Sequence, residues 1–287
     1  MLYSVIDIGS NSVRLMLNDG YNTLSKEIST TRLAEGMGEE KVLTNVAINR
    51  TADAVANFYK KAVEKKSDQI YIFATAAVRQ AKNKDDFVNA VKKRCGAVVE
   101  IISGEEEAKL GYLGALNGLD GAVIDVGGAS SEIIVVKDKK PLYFKSLDVG
   151  AVKIKDECGQ DFLAVQDFVL NRIKEYGNVP SSTFYAIGGT ATSIAALILE
   201  LEIYDSKRVD GFVINKNILS DLVEKLFSLS VEERKKLKGM HPPRAEVIAG
   251  GAKLLLEIMN KININTLIVS EKDNLEGYLI KRLGKYE

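Results

Sequence analysis

Val5-Ile6-Asp7-Ile8-Gly9-Ser10-Asn11-Ser12 and, far downstream, Val123-Ile124-Asp125-Val126-Gly127-Gly128-Ala129-Ser130 are one pattern used twice. Each is an apolar, β-branched run that ends on an aspartate and breaks into a glycine-containing turn. Strand character then resumes, at Val13 to Leu17 in the first copy and at Ile133 to Val136 in the second. A strand-Asp-turn-strand unit repeated at near half-chain spacing marks a duplicated domain.

Outward from these copies, strands and helices alternate, which predicts an α/β fold. Thr44 can cap a long helix whose apolar face carries Val55, Phe58, Tyr59, Ala62 and Val63. Gln69 to Ala74 reads as a short buried strand, followed by a helix with Phe87, Val88 and Val91 on one face. Val98 to Ile102 is expected to be a strand, and Gly104-Glu105-Glu106-Glu107 opens a helix through Leu116. The acidic residues suit the positive end of that helix. After the second copy, Phe184 to Ile187 runs into Gly188-Gly189-Thr190 and a helix through Glu200. Helices are expected at Asn217 to Leu226 and Ala245 to Met259, a strand at Thr266 to Ser270, and a closing helix near Leu275 to Leu283.

Composition narrows the function classes. Among 287 residues, 39 basic and 39 acidic side chains cancel, which argues against a dedicated nucleic-acid binder. Two cysteines, Cys95 and Cys158, and one histidine, His241, cannot build a disulfide framework or a four-ligand zinc site. A reducing cytosol is the simplest compartment. Asp7 and Arg14 interrupt the only early apolar run, so no signal peptide is read. The longest uncharged stretch, Tyr176 to Leu199, contains Pro180 and Gly188-Gly189 and does not read as a membrane span. A cytoplasmic protein is expected, and the sequence leaves a homodimer open.

An aspartate at a strand end followed by Gly-Ser or Gly-Gly is a poor choice for stability alone. Glycine lets backbone approach a ligand closely and leaves amide N–H groups for anionic oxygens. The carboxylate offers a hard ligand to Mg²⁺, whose other positions are typically water and phosphate. Each turn alone could be an ordinary hairpin. The duplication and the third turn at Gly188 to Thr190 favour the phosphate reading.

These blocks resemble the actin-like ATPase superfamily of sugar kinases and heat-shock chaperones. More narrowly they resemble the exopolyphosphatase and guanosine pentaphosphate phosphohydrolase (Ppx/GppA) family. The finer resemblance rests on "VIDIGSNSVRLML" from Val5, "TRLAEGM" from Thr31, "FATAAVRQAKN" from Phe73 and "EIISGEEEAKLGYLGAL" from Glu100. It continues through "VIDVGGASSEIIVV" from Val123, "SLDVGAVKIKD" from Ser146, "AIGGTATSIAAL" from Ala186 and "MHPPRAEVIAGGAKLLLEIM" from Met240. The blocks run in order over nearly the whole chain.

The resemblance implies two actin-like (ribonuclease H-like) domains with an interdomain cleft as the active site. The first would span about 1–104 and recover a C-terminal helix at about 272–287, with the second over 105–271 and a hinge near Ser103–Gly104. It implies Mg²⁺-assisted attack of water on a terminal phosphoryl group of polyphosphate or of guanosine penta- or tetraphosphate. Glu107 matches the family's catalytic glutamate, though Glu105 and Glu106 adjoin it and sequence alone could confuse the three. Asp7, Asp125 and Glu132 match metal-side carboxylates. Gly9, Ser10, Asn11 and Ser12 would cradle phosphate from one domain, and Gly127, Gly128, Ala129 and Ser130 from the other. Gly188, Gly189 and Thr190 form the third turn. Ala129 stands where the family usually has glycine, which puts backbone donation there in question. Arg79 would belong to the phosphate site, and Arg14 and Arg244 would reach a larger phosphorylated ligand. Arg32 reads equally as a surface ion pair, His241 as a helix-entry residue, and the two cysteines as structural.

Longer members of the family carry extra C-terminal helical domains, so a preference for short chains is expected. Two rivals stay open at this stage. One is an ATP-dependent kinase of the same superfamily, the other an alarmone-binding module that does not hydrolyse its ligand.

Overall fold

The structure, a computed structural model, describes residues 1–38 and 40–284. In chain order its first elements are β1 (Tyr3–Ile8), β2 (Ser12–Asn18), β3 (Thr23–Thr30), α1 (Asn45–Glu64), β4 (Gln69–Ala74), α2 (Ala76–Gln80), α3 (Lys84–Cys95), β5 (Glu100–Ile101) and α4 (Gly104–Leu116). Next come β6 (Gly121–Val126), β7 (Ser131–Lys137), β8 (Lys140–Leu147), α5 (Ala151–Cys158), α6 (Phe162–Ile173), β9 (Phe184–Ile187) and α7 (Gly188–Ile198). The chain closes with α8 (Ser206–Val209), β10 (Val213–Asn215), α9 (Lys216–Ser228), α10 (Val231–Arg234), α11 (Ile248–Lys261), β11 (Thr266–Val269) and α12 (Asn274–Arg282).

The chain divides into two compact units, one of residues 1–114 with 274–287 and one of residues 115–273. The first unit's sheet runs β3-β2-β1-β4-β5, and the second's runs β8-β7-β6-β9-β11 with β10 added at the outer edge. In both, three antiparallel strands are followed by two that join in parallel on the far side of the first strand. The duplication seen in the sequence is thus a duplication of topology.

The first unit ends later than the break at 104 read from the sequence. Leu110 of α4 packs with Tyr3, Val5, Phe73, Ile102, Leu275 and Tyr278, so the front of α4 belongs by its packing with β1 and α12. The tail of the expected 272–287 helix, residues 285–287, lies outside the described residues. In the second unit, α7 and α11 are apolar on nearly every face and pack into one core with β6, β7 and β9.

Some expected elements differ in extent. The strand expected over 98–102 shrinks to Glu100–Ile101, because β5 pairs with β4 only at those two positions and Val98 is exposed. Val63 lies off the buried face of α1. The helix expected from Ala245 begins at Ile248, since Pro242 and Pro243 direct a 3₁₀ turn over Pro242–Arg244 first. Thr44 does cap α1, its hydroxyl accepting from the Ala47 N–H at 3.2 Å. Thr44→Ala should cost about 1 kcal/mol of stability in chemical denaturation, and Thr44→Ser much less. Equal losses for both would show that the cap bond contributes nothing. Among the described residues no helix is long and apolar enough to cross a membrane.

Candidate active site

The two Asp-Gly turns fold alike. The Gly9 N–H donates to the Ser12 carbonyl at 3.0 Å, and the Gly127 N–H donates to the Ser130 carbonyl at 3.0 Å. What surrounds them differs. In the first unit the Asn11 carbonyl accepts from the Thr31 and Arg32 N–H groups, and the Ser10 carbonyl accepts from Ala34. The Asn11 side-chain amide is buried and finds no hydrogen-bond partner among the described residues. A polar group in that state is available to a ligand or a water. In the second unit the Gly127 and Gly128 carbonyls accept from Ala151, Val152 and Lys153 at the start of α5. That close approach requires Gly150, where a Cβ would stand 2.5 Å from the Gly128 carbonyl.

The strand register sets the chemistry of each turn. Asp7 lies opposite Arg14 across β1 and β2, whereas Asp125 lies opposite Glu132 across β6 and β7. The same place in the repeat holds a cation in one unit and a carboxylate in the other. Asp7 Oδ2 accepts from Arg14 Nε at 3.1 Å and from its Nη2. Directly opposite residues have Cβ atoms about 5 Å apart, so Asp125 and Glu132 bring two like charges together. Such a pair calls for compensation, by a cation, by donors or by a shared proton. Ser146 Oγ donates to Glu132 Oε1 at 2.7 Å, and that carboxylate is buried. The Tyr176 phenol, which sequence reading passed over, stands behind them. Burial holds its pKa well above the ordinary value, and its hydroxyl bonds Ser131.

Only one member of the Glu105-Glu106-Glu107 run points inward. Glu105 pairs with Lys109 one turn on at 2.7 Å, and Glu106 pairs with Lys281. Glu107 is 7% exposed and accepts from Arg79 Nη1 at 2.7 Å; the same nitrogen donates to the Ile102 carbonyl at 3.1 Å. Burial pushes the Glu107 carboxyl pKa up. Arg79, by charge and hydrogen bond, and the Thr75 hydroxyl oppose this rise, and the nearby Asp7 charge adds to it. Thr75 was not singled out from sequence, although its place two residues before Ala77 in "FATAAVR" put it within the same block.

The raised pKa has a pH consequence. For Glu107 to serve as a base its carboxyl must be ionised, so an activity that depends on it should fall with decreasing pH from above the ordinary glutamate value of 4.5. Arg79→Met removes the strongest group opposing the rise and should move the acid limb of kcat/KM further up. The folded protein holds this proton more tightly than the unfolded chain does. The stabilisation from Glu107 is therefore complete below 4.5 and lost as pH rises through the raised folded value. An acid limb that moves down in Arg79→Met would contradict this account.

The third turn lies in the second unit. Gly188 adopts a φ of +76°, and a Cβ there would meet Asp125 Oδ1 at 2.6 Å, so only glycine fits against that carboxylate. No side chain caps the start of α7, whose first-turn N–H groups have no partner within the helix. Thr190 Oγ1 donates to the Val126 carbonyl at 2.7 Å, so Thr190 offers the turn its backbone N–H rather than its hydroxyl. The Arg244 guanidinium occupies the space a Cβ on Gly189 would fill. Beside it, the Tyr204 hydroxyl donates to Glu271 Oε1.

The side chains of the remaining candidates have plainer settings. Arg32, at a φ of +48°, has its guanidinium 3.8 Å from the Glu35 carboxylate, the ion pair offered as its plainer reading. His241 precedes the 3₁₀ turn and its carbonyl accepts from the Arg244 N–H; burial and Arg244 hold its pKa down. Burial pushes the Cys158 thiol up, the opposite of a reactive thiolate. Among the described residues no three ligand-type side chains gather to hold a metal.

The model of the Ppx/GppA phosphatase family matches residues 12–286. The chain is 30% identical to a bifunctional 3-dehydroquinate synthase/phosphatase of Fusobacterium nucleatum, over 98% of its own length but 46% of that protein's. It is 28% identical to exopolyphosphatase 2 of Mycobacterium tuberculosis, over 98% of both chains. It is 27% identical to a guanosine-5'-triphosphate,3'-diphosphate pyrophosphatase of Pseudoalteromonas atlantica, over 97% of its length and 58% of the other's. The chain thus spans only about half of two of these relatives. The crystal structure of an Aquifex aeolicus Ppx/GppA protein superposes with a TM-score of 0.80 at 29% identity, over 99% of this chain and 98% of that one.

Proposed function

Because the chain belongs to the Ppx/GppA phosphatase family, we propose that it hydrolyses the terminal phosphoanhydride of inorganic polyphosphate or of guanosine pentaphosphate, with Glu107 as the base for the attacking water. The observation that carries this reading is the state of Glu107. It is a buried carboxylate with a raised pKa, fixed by Arg79 and the Thr75 hydroxyl. A structural helix-start glutamate would face solvent, as Glu105 does. A binding module needs no such base.

In the first unit the backbone N–H groups of Ser10 to Ser12, with the side chains of Asn11, Arg14 and Arg79, are the donors for phosphate oxygens; in the second they are those of Gly128 to Ser130 and Gly188 to Thr190, with Arg244, while the Gly9 and Gly127 N–H groups close their own turns. Asp125 and Glu132 are the residues that would hold a divalent ion. Two hard carboxylates in register suit Mg²⁺, which would neutralise charge on the phosphate oxygens. Asp7, sequence-matched to the same role, is better suited to orient Arg14, whose guanidinium already balances its charge.

Phosphate release from a panel of short and long polyphosphates, guanosine pentaphosphate and ATP, assayed with Mg²⁺, tests the reading. Hydrolysis of either proposed substrate is the expected result. Transfer from ATP to an acceptor hydroxyl without phosphoanhydride hydrolysis would establish the kinase, and binding without release the sensing module.

A further inference from the structure

Arg234 is 1% exposed and, among the described residues, pairs with no carboxylate. Burying a guanidinium costs heavily unless its N–H groups find acceptors. Here they find main chain and one amide. Nε donates to the Leu226 carbonyl near the end of α9 at 2.5 Å. Nη1 donates to Gln160 Oε1 and, at 3.4 Å, to the Ala245 carbonyl. Gln160 in turn donates from Nε2 to the Glu246 carbonyl at 2.9 Å. The two carbonyls that follow Arg244 are therefore held from behind by one buried cation and its amide partner.

The segment so held is also closed by its own backbone bonds. Arg244 N–H donates to the His241 carbonyl at 2.8 Å, Ala245 to Pro242 at 3.1 Å, and Val247 to the Arg244 carbonyl at 3.0 Å. Within it, Arg244 reaches across to Gly189 at the start of α7. An apolar residue could fill the place of Arg234 and serve stability as well. What the guanidinium adds is directional bonds to the backbone that carries Arg244.

Resting on the reading that Arg244 contacts substrate phosphate, we propose that Arg234 and Gln160 are positioning residues for Arg244. They fix its guanidinium over the Gly188-Gly189 turn. A fork that meets a phosphate through two parallel bonds loses them when its base shifts, so the effect belongs in substrate affinity rather than in turnover.

The experiment compares Arg244→Gln alone with Arg234→Lys and Gln160→Ala, each alone and combined with Arg244→Gln, on the substrate hydrolysed best. Arg234→Lys and Gln160→Ala are expected to raise KM about 10-fold, or about 1.4 kcal/mol, with kcat within about two-fold. In the Arg244→Gln background neither should raise KM further, because the group they position is gone. A purely structural role would lower the thermal midpoint and leave KM alone, or would add fully to Arg244→Gln; either result overturns the proposal. Gln160 is exposed, so Gln160→Ala carries the test if Arg234→Lys does not fold. If Arg244→Gln itself leaves KM unchanged, the substrate role of Arg244 fails and the positioning claim falls with it.

Discussion

Glu107→Gln is expected to lower turnover by about 10²- to 10⁴-fold, the usual range for removing a general base. The substitution keeps the size of the side chain and one acceptor oxygen, so the bond from Arg79 can persist. It removes the basic lone pair that an ionised carboxylate presents to water. KM should hardly move, because a buried carboxylate has no attraction for a polyanion. Neutralising it removes a repulsion if anything. Glu105→Gln and Glu106→Gln should keep full activity, since those side chains pair outward with Lys109 and Lys281. If Glu106→Gln abolishes turnover while Glu107→Gln spares it, the base is misassigned by one residue. If none of the three variants loses activity, the mechanism is wrong.

That assignment shows where sequence stops being sufficient. The motif placed a carboxylate at the start of α4 but could not say which of three adjacent glutamates faces inward. Helix geometry turns each by about 100°, so only packing against Arg79 and Thr75 separates them. The repeated Asp-Gly turns were legible because their glycines and β-branched strands obey local rules. The difference between the units was not. Asp7 and Asp125 look alike along the chain, and both were read as metal carboxylates. Cross-strand register makes one the partner of Arg14 and the other the neighbour of Glu132.

The fold shows the same division. Strands buried on both faces, such as β1 and β6, announce themselves by apolar runs. The edge strands β3 and β8 do not, because most of their residues are exposed and carry Lys26, Glu27 and Lys145, charges that also discourage edge-to-edge association. Helix α6 buries Val165, Val169 and Ile173 at regular spacing, yet exposed Leu163 and half-exposed Leu170 blur the apolar stripe. The Arg244 cluster was visible only as a motif, since Gly189, Gln160 and Arg234 come from distant parts of the sequence.

Asp125→Asn is expected to raise the Mg²⁺ concentration for half-maximal activity by 10-fold or more, the scale on which metal sites respond to lost support. A charged hard oxygen becomes a neutral one, and a divalent ion held by two carboxylates depends strongly on both charges. Turnover at saturating Mg²⁺ should recover much of its value, unlike that of Glu107→Gln, whose defect no ion concentration repairs. Direct titration with Mn²⁺, followed by its paramagnetic signal, should show the same weakening without any turnover. Asp7→Asn is the informative contrast. It should leave Mn²⁺ affinity unchanged, since the cation beside Asp7 is Arg14. If Asp7→Asn weakens Mn²⁺ as much as Asp125→Asn does, Asp7 is a metal ligand after all, and the strand register does not divide the two turns into one that uses an arginine and one that uses an ion.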